Sequence, residues 1–99
     1  HGAIYDLNPN IRFVFHGHVP AIWNSAKALG LPTTAANVEY GTQAMAFETS
    51  RLYRSTNLSE SKCYTMGGHE DGVVTFGRTA SEAGEVVVKV LAQAYALGL

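Results

Sequence analysis

The chain has 99 residues, of which 46% are hydrophobic, and a formal net charge of −1 at pH 7. That length supports one core and a single domain over residues 1–99. The sequence shows no basic stripe that would predict a nucleic-acid partner, no apolar stretch long enough for a bilayer and no signal peptide. The lone Cys63 cannot form an internal disulfide, which favours a buried thiol and a reducing, cytoplasmic location.

Turn and helix signals divide the first two thirds of the chain. Pro20 suits the first turn of a helix because it needs no backbone donor there, and Gly30 is a typical helix end. Thr42, after Gly41, is the predicted cap of a second helix. In chain order we predict a helix tail over 2–5, a turn over 8–10, a buried strand over 11–16, a helix over 20–30, an extended connection over 31–34, a helix that begins at 41–42 and a polar turn over 57–61.

The last third predicts a hairpin and a long helix. Apolar runs over 62–66 and 73–76 flank the glycine-rich turn 67–72, so the two strands are expected to pair. Thr79 and Glu82 form a capping box for the helix that follows. That helix carries apolar residues at three- and four-residue spacing, which predicts a face packed on a sheet. The predicted face comprises Ala83, Val86, Val87, Val90, Leu91, Ala94 and Tyr95.

Two histidines one residue apart are the most informative feature of the sequence. Side chains alternate between the faces of a strand, so His16 and His18 are expected to project together, with Gly17 leaving room beside them. His69 lies in the turn 67–72. Three imidazoles that leave a position open can hold a divalent ion for catalysis. The aromatic residues Phe13, Phe15 and Trp23 are expected in the core.

Three motifs in this order resemble the class II aldolase/adducin superfamily and together cover nearly the whole chain. The first contains Tyr5, Pro9, Ile11 and Val14 and ends at His16 and His18. The second spans Val38–Ala46, where Gly41 and Thr42 open a helix. The third begins at His69 and continues through Gly72-Val73-Val74, Gly77, Thr79 and Glu82-Ala83.

The resemblance implies a three-layer α/β/α sandwich on a mostly antiparallel sheet. It implies that His16, His18 and His69 bind Zn²⁺, or another divalent metal such as Mn²⁺, Co²⁺ or Fe²⁺. The implied activity is that of a lyase acting on a small sugar phosphate or related hydroxy-carbonyl compound through a metal-stabilised enediolate. The family also includes epimerases, dehydratases and decarboxylases, and its members form homo-oligomers.

The sequence differs from the family pattern at two points. The family's phosphate-binding loops and catalytic glutamate precede the segment that matches, so we expect this chain to lack the N-terminal part of the domain. Glu70 and Asp71 also follow His69, where the family usually has glycine. The missing general base then has three candidates, Glu70, Asp71 and Glu39, of which Glu70 lies next to a predicted ligand.

A second function is consistent with the same resemblance. The adducin head keeps this fold as a non-catalytic oligomerisation or scaffold module. Such heads lack the metal histidines, so the three histidines here favour an enzyme. The expected lack of the family's N-terminal segment favours the scaffold.

Overall fold

The computed structural model describes residue 4 and residues 7–38 and 43–97. Helices and strands are both present, which confirms the predicted α/β class. The elements, in chain order, are β1 (Phe13–His18), α1 (Pro20–Leu29), β2 (Thr33–Thr34), α2 (Gln43–Ser55), α3 (Leu58–Ser61), β3 (Cys63–Met66), β4 (Gly72–Gly77) and α4 (Ala80–Ala96).

The four strands form one mixed sheet in the order β1-β4-β3-β2. β4 pairs antiparallel with both β1 and β3, whereas β2 runs parallel to β3. The β3–β4 pairing confirms the predicted hairpin. β1 begins and ends two residues later than predicted, so His16, Gly17 and His18 all belong to the strand. The turn after β3 therefore lies at the same end of the sheet as the end of β1.

Alternate residues of β3 and β4 enter two different hydrophobic clusters. Tyr64 and Val74 belong to a cluster with residues of α2 and α3, and Cys63 and Val73 to one with residues of α1 and α4. This separation follows from the two-residue period of a strand, which sends neighbouring side chains to opposite faces. Cys63 is fully buried, as predicted, and burial raises the pKa of its thiol to about 12.

Several local predictions differ from the structure. Phe13 and Phe15 are 48% and 40% exposed, so the prediction that they lie in the core is wrong. The reason is their place on β1, which ends the sheet within the described residues. Tyr95 is exposed because it falls at the margin of the packed face of α4. The predicted polar turn over 57–61 contains the short helix α3, which Leu58 anchors in the core.

Helix α1 agrees with its predicted boundaries. Pro20 occupies its first turn, and Gly30 ends it in the left-handed conformation with φ 69°. Two other predictions fall on residues outside those described: the cap at Thr42, and the helix tail over 2–5 apart from Ile4, which is helical and buried. Among the described helices, none has the length and apolar character needed to cross a bilayer.

The N-terminus of α4 is capped as predicted by Thr79, whose hydroxyl accepts a hydrogen bond from the Glu82 amide at 3.1 Å. The Glu82 carboxylate pairs with Lys62. Replacing Thr79 by alanine leaves that amide without its acceptor, and we expect a loss of about 1 kcal/mol in the free energy of unfolding. Urea denaturation measures it, with Ser81→Ala in the same turn as the control. An equal effect of the two variants would show that the cap contributes nothing specific.

Candidate metal centre

The structure brings the three predicted histidines together at one end of the sheet. One ligand nitrogen from each of His16, His18 and His69 lies within 4.8 Å of the other two. The ring centroids are 5.9 Å apart for His16–His18, 5.7 Å for His16–His69 and 4.9 Å for His18–His69. In the described part of the chain, no other histidine, cysteine or carboxylate forms such a group. Imidazoles more than 50 positions apart in sequence thus share one site.

The strand β1 places two of the three rings. His16 lies opposite Val74 and His18 opposite Gly72 on β4, so both histidines project from the same face at the end of the strand. The Phe15 ring lies on the opposite face over Gly17, where an added Cβ atom would meet the ring at 2.8 Å. Gly17 therefore leaves room for Phe15 and does not border the imidazoles directly.

The turn between β3 and β4 places the third ring. The His69 amide donates to the Met66 carbonyl at 3.1 Å, and the Gly72 amide donates to the His69 carbonyl at 2.8 Å. Asp71 has φ 62°, a left-handed conformation that aspartate tolerates better than most residues. At Gly72 a Cβ atom would lie 2.6 Å from Cδ2 of His69, so only glycine lets the ring fold back against β4.

Contacts with distant segments fix this turn on the sheet. The Trp23 indole donates to the Met66 carbonyl at 2.9 Å. The Gly67 amide donates to Oγ1 of Thr34 at 3.1 Å. The Val19 amide donates to the Asp71 carbonyl at 2.9 Å. These bonds hold the turn at both ends and limit how far His69 can move from the two rings on β1.

A hydrogen bond to the backbone orients His18. Its Nδ1 lies 3.2 Å from the Glu70 carbonyl oxygen. A carbonyl only accepts, so Nδ1 carries the proton in this contact and Nε2 keeps its lone pair for a ligand bond. Metal-binding histidines commonly donate their second ring nitrogen in this way, which fixes both tautomer and ring orientation.

The environment of His16 favours its neutral form. Burial is the largest cause, and the neighbouring His69 and His18 add to it, so the pKa of His16 is lowered from its ordinary value of 6.5. Only the neutral ring has a free lone pair for a metal ion. Near neutral pH this imidazole is therefore in the state that metal binding requires.

The lowered pKa predicts a pH dependence for the metal-free chain. In the unfolded chain His16 takes up its proton near its ordinary pKa of 6.5, whereas in the folded chain it does so at lower pH. Acid therefore favours the unfolded state: the free energy of unfolding should fall as pH drops below that value and level off below the folded pKa. Denaturation from pH 8 to 5 in the presence of a chelator measures this. The His16→Asn variant should lose part of the slope, and an unchanged slope would contradict the assignment.

The three imidazoles fit a divalent ion in donor chemistry and in size. Zinc bonded to nitrogen at 2.0–2.1 Å in a tetrahedron separates its ligand nitrogens by about 3.3 Å. The nitrogens here lie within 4.8 Å of one another, so small ring rotations and shifts of about 1 Å bring them to bonding distance. Three histidines would hold a zinc ion at three corners of a tetrahedron and would leave the fourth for substrate, which is the arrangement of catalytic zinc sites.

The three candidates for a general base differ in exposure and in position relative to the histidine cluster. Glu70 is exposed, and its backbone lies beside His18. Asp71 is half-buried and its main role in the structure is the left-handed turn. Glu39 lies outside the described residues. A catalytic role for Glu70 therefore stays a prediction.

Sequence reasoning missed two residues that support the cluster. Trp23 anchors the turn through its indole, although the helical spacing around it indicated only a core position. Gly72 is needed for the His69 ring, whereas the sequence indicated it only as part of a glycine-rich turn and of the third motif.

Comparison with known proteins returned no match: no protein-family description fits the chain, and neither the curated proteins nor the solved structures include one that is similar. The resemblance to the class II aldolase/adducin superfamily therefore depends on the three motifs alone, and membership of that family stays a prediction.

Proposed function

We propose that this chain is the metal-binding part of a class II aldolase-like lyase that acts on a small sugar phosphate or related hydroxy-carbonyl compound. One observation carries the proposal: His16, His18 and His69 offer three ligand nitrogens within 4.8 Å of one another. A bound divalent ion supplies Lewis acidity that stabilises negative charge on an enediolate oxygen of the substrate.

The chain's own groups prepare this site. Burial and the two neighbouring rings keep His16 neutral, and the Glu70 carbonyl holds the His18 ring in the tautomer that presents Nε2. The Trp23 indole and the Thr34 hydroxyl hold the turn that carries His69. Such preorganisation lowers the cost of gathering three imidazoles around an ion.

Glu70 is the proposed general base. It is exposed and adjacent in sequence to His69, so its carboxylate can reach a substrate on the open side of the cluster. A positioned base contributes about 10²–10⁴-fold to rate. We expect Glu70→Gln to lower turnover by that factor with no change in metal content. Asp71→Asn is the control, since it removes the neighbouring carboxylate and tolerates the same left-handed turn.

The finer architecture is also a proposal. Two of the three strand pairings are antiparallel, and apolar residues on the two faces of β3 and β4 cluster with different helices. Both features support the three-layer α/β/α sandwich on a mostly antiparallel sheet that the resemblance implies.

Metal analysis followed by a substrate panel tests the function. The chain is purified without a histidine tag, incubated with zinc, manganese, cobalt or iron(II) ions, desalted and assayed on small sugar phosphates and hydroxy-ketones. We expect about one equivalent of bound metal per chain and cleavage that chelation abolishes. No retained metal would overturn the proposal. Bound metal without turnover of any substrate would favour the adducin-like scaffold or a truncated enzyme. The exposed Phe13 and Phe15 on β1 also support a scaffold.

A further inference from the structure

Met66 lies in the same row of the sheet as one of the three histidines. His18 on β1 is opposite Gly72 on β4. The pairing of Thr65 with Val73, continued by one residue, sets Met66 on β3 opposite Gly72 from the other side. His18, Gly72 and Met66 therefore form one row across three strands, and directly opposed residues share a face of the sheet. Gly72 has no side chain, so the space above the middle of this row is left to groups from both sides.

The side chains of Met66 and His69 border that space. A Cβ atom added at Gly72 would lie 2.6 Å from Cδ2 of His69 and 2.8 Å from Cε of Met66. Cε of methionine is bonded to the thioether sulfur, and Cδ2 of histidine is bonded to Nε2. The sulfur and a ligand nitrogen are thus each one bond away from atoms that border the same small space. Met66 is fully buried, so its thioether is held beside the histidine cluster and away from solvent.

The backbone of Met66 is fixed at this place. Its carbonyl accepts hydrogen bonds from the Trp23 indole at 2.9 Å and from the His69 amide at 3.1 Å. The methionine side chain is unbranched and has three rotatable bonds. Its sulfur can therefore turn toward the imidazoles while the strand and the turn stay in position.

We propose that His16, His18, His69 and Met66 together bind copper(I), with the Met66 thioether as the fourth ligand. Imidazole suits both zinc and copper, whereas a thioether is a soft ligand that selects copper(I). Zinc in proteins is bound by imidazole, thiolate and carboxylate groups. Zinc therefore engages the three histidines alone, and only copper(I) recruits the sulfur.

The identity of the bound ion would then control access to the site, a consequence that depends on the proposed function. With zinc, the fourth position is open to substrate. With copper(I), the Met66 sulfur occupies that position. The chain loaded with copper(I) should therefore turn over no substrate that the zinc-loaded chain cleaves. Copper(I) binding itself needs no catalytic activity, so it is measured separately.

X-ray absorption spectroscopy of the parent chain, loaded anaerobically with an equimolar amount of copper(I), tests the ligand set without any change at Met66. We expect copper bound by imidazole nitrogens and by one sulfur atom. The sulfur signal should persist in Cys63→Ala, because Cys63 is fully buried in the cluster on the opposite face of the sheet. A copper environment without sulfur would overturn the proposal, as would loss of the sulfur signal in Cys63→Ala.

Competition with a chromophoric copper(I) chelator measures the contribution of Met66. Met66→Leu removes the sulfur and conserves side-chain volume, a replacement that cores tolerate. We expect it to lower copper(I) affinity at least about tenfold and to leave zinc affinity unchanged. Met45→Leu is the matched control and should bind copper(I) as the parent does, because Met45 is buried in the same hydrophobic cluster but lies on α2. Equal copper(I) affinity of Met66→Leu and the parent chain would overturn the proposal.

Measuring both metals separates this inference from the proposed function. Zinc retained by the chain, with no sulfur bound to copper(I), would overturn the role of Met66 and leave the function standing. Copper(I) bound through Met66 in a chain that retains no zinc would overturn the function and support the copper site.

Discussion

Replacing His16 by alanine is expected to lower zinc affinity by at least about 100-fold, more than the 10–100-fold typical of changes outside the ligand set. The reason is geometric: the three rings form a triangle around one site, and His16 is one corner of it, with centroid distances of 5.9 Å to His18 and 5.7 Å to His69. Two imidazoles bind an ion more weakly than three, because only water replaces the lost bond between the metal and the His16 nitrogen. Competition with a chromophoric zinc chelator measures the affinity.

The remaining histidines provide the comparison for this prediction. His69→Ala should lose as much affinity as His16→Ala, although the two residues lie on different elements. The fourth histidine, His1, is not assigned to the metal set, so His1→Ala should bind zinc as the parent chain does. If His69→Ala kept the affinity of the parent, zinc would be held without the turn, and the shared site would be wrong.

Replacing Gly72 by alanine is expected to lower zinc affinity by about 10–100-fold although the residue offers no ligand. An added Cβ would lie 2.6 Å from Cδ2 of His69 and 2.9 Å from the His69 carbonyl oxygen. The backbone oxygen cannot move without loss of the turn, so the His69 ring must leave the position it takes in the cluster. The affinity is measured as for the histidine variants, and circular dichroism checks that the fold is kept.

Gly84→Ala is the control for the glycine replacement. Gly84 lies in α4, and an added Cβ there meets no atom within 4 Å. Alanine in a helix interior should stabilise the chain by about 0.5–1 kcal/mol and leave zinc affinity unchanged. Equal zinc affinity of the Gly72→Ala variant and the parent chain would show that the close approach of Gly72 and His69 does not position the ring.

The strand period and the turn signals account for most of what the sequence predicted of the site. The i and i+2 spacing of His16 and His18 requires only that β1 be a strand, which its apolar residues indicate. His69 follows from the hairpin, because the turn between β3 and β4 must lie at one end of the sheet. The sequence could not give the ring separations, which also depend on β1 pairing with β4 in its actual register.

Features that depend on tertiary neighbours could not be predicted. Phe13 and Phe15 have the composition of a core strand, yet β1 ends the described sheet and leaves them exposed. Trp23 reaches the Met66 carbonyl across 43 positions of sequence, a contact with no local signal. The short helix α3 replaces a predicted turn because Leu58 finds a place in the core. In each case the tertiary surroundings of the segment, either a contact or the lack of one, override its local propensity.

Crystals of the chain grown with zinc, measured on both sides of the zinc absorption edge, test most directly whether the three imidazoles hold one ion. We predict a single strong anomalous peak per chain at about 2.0–2.1 Å from nitrogen atoms of His16, His18 and His69. No peak at the cluster, or a peak bound by His16 and His18 with the ring of His69 turned away, would contradict the shared metal site.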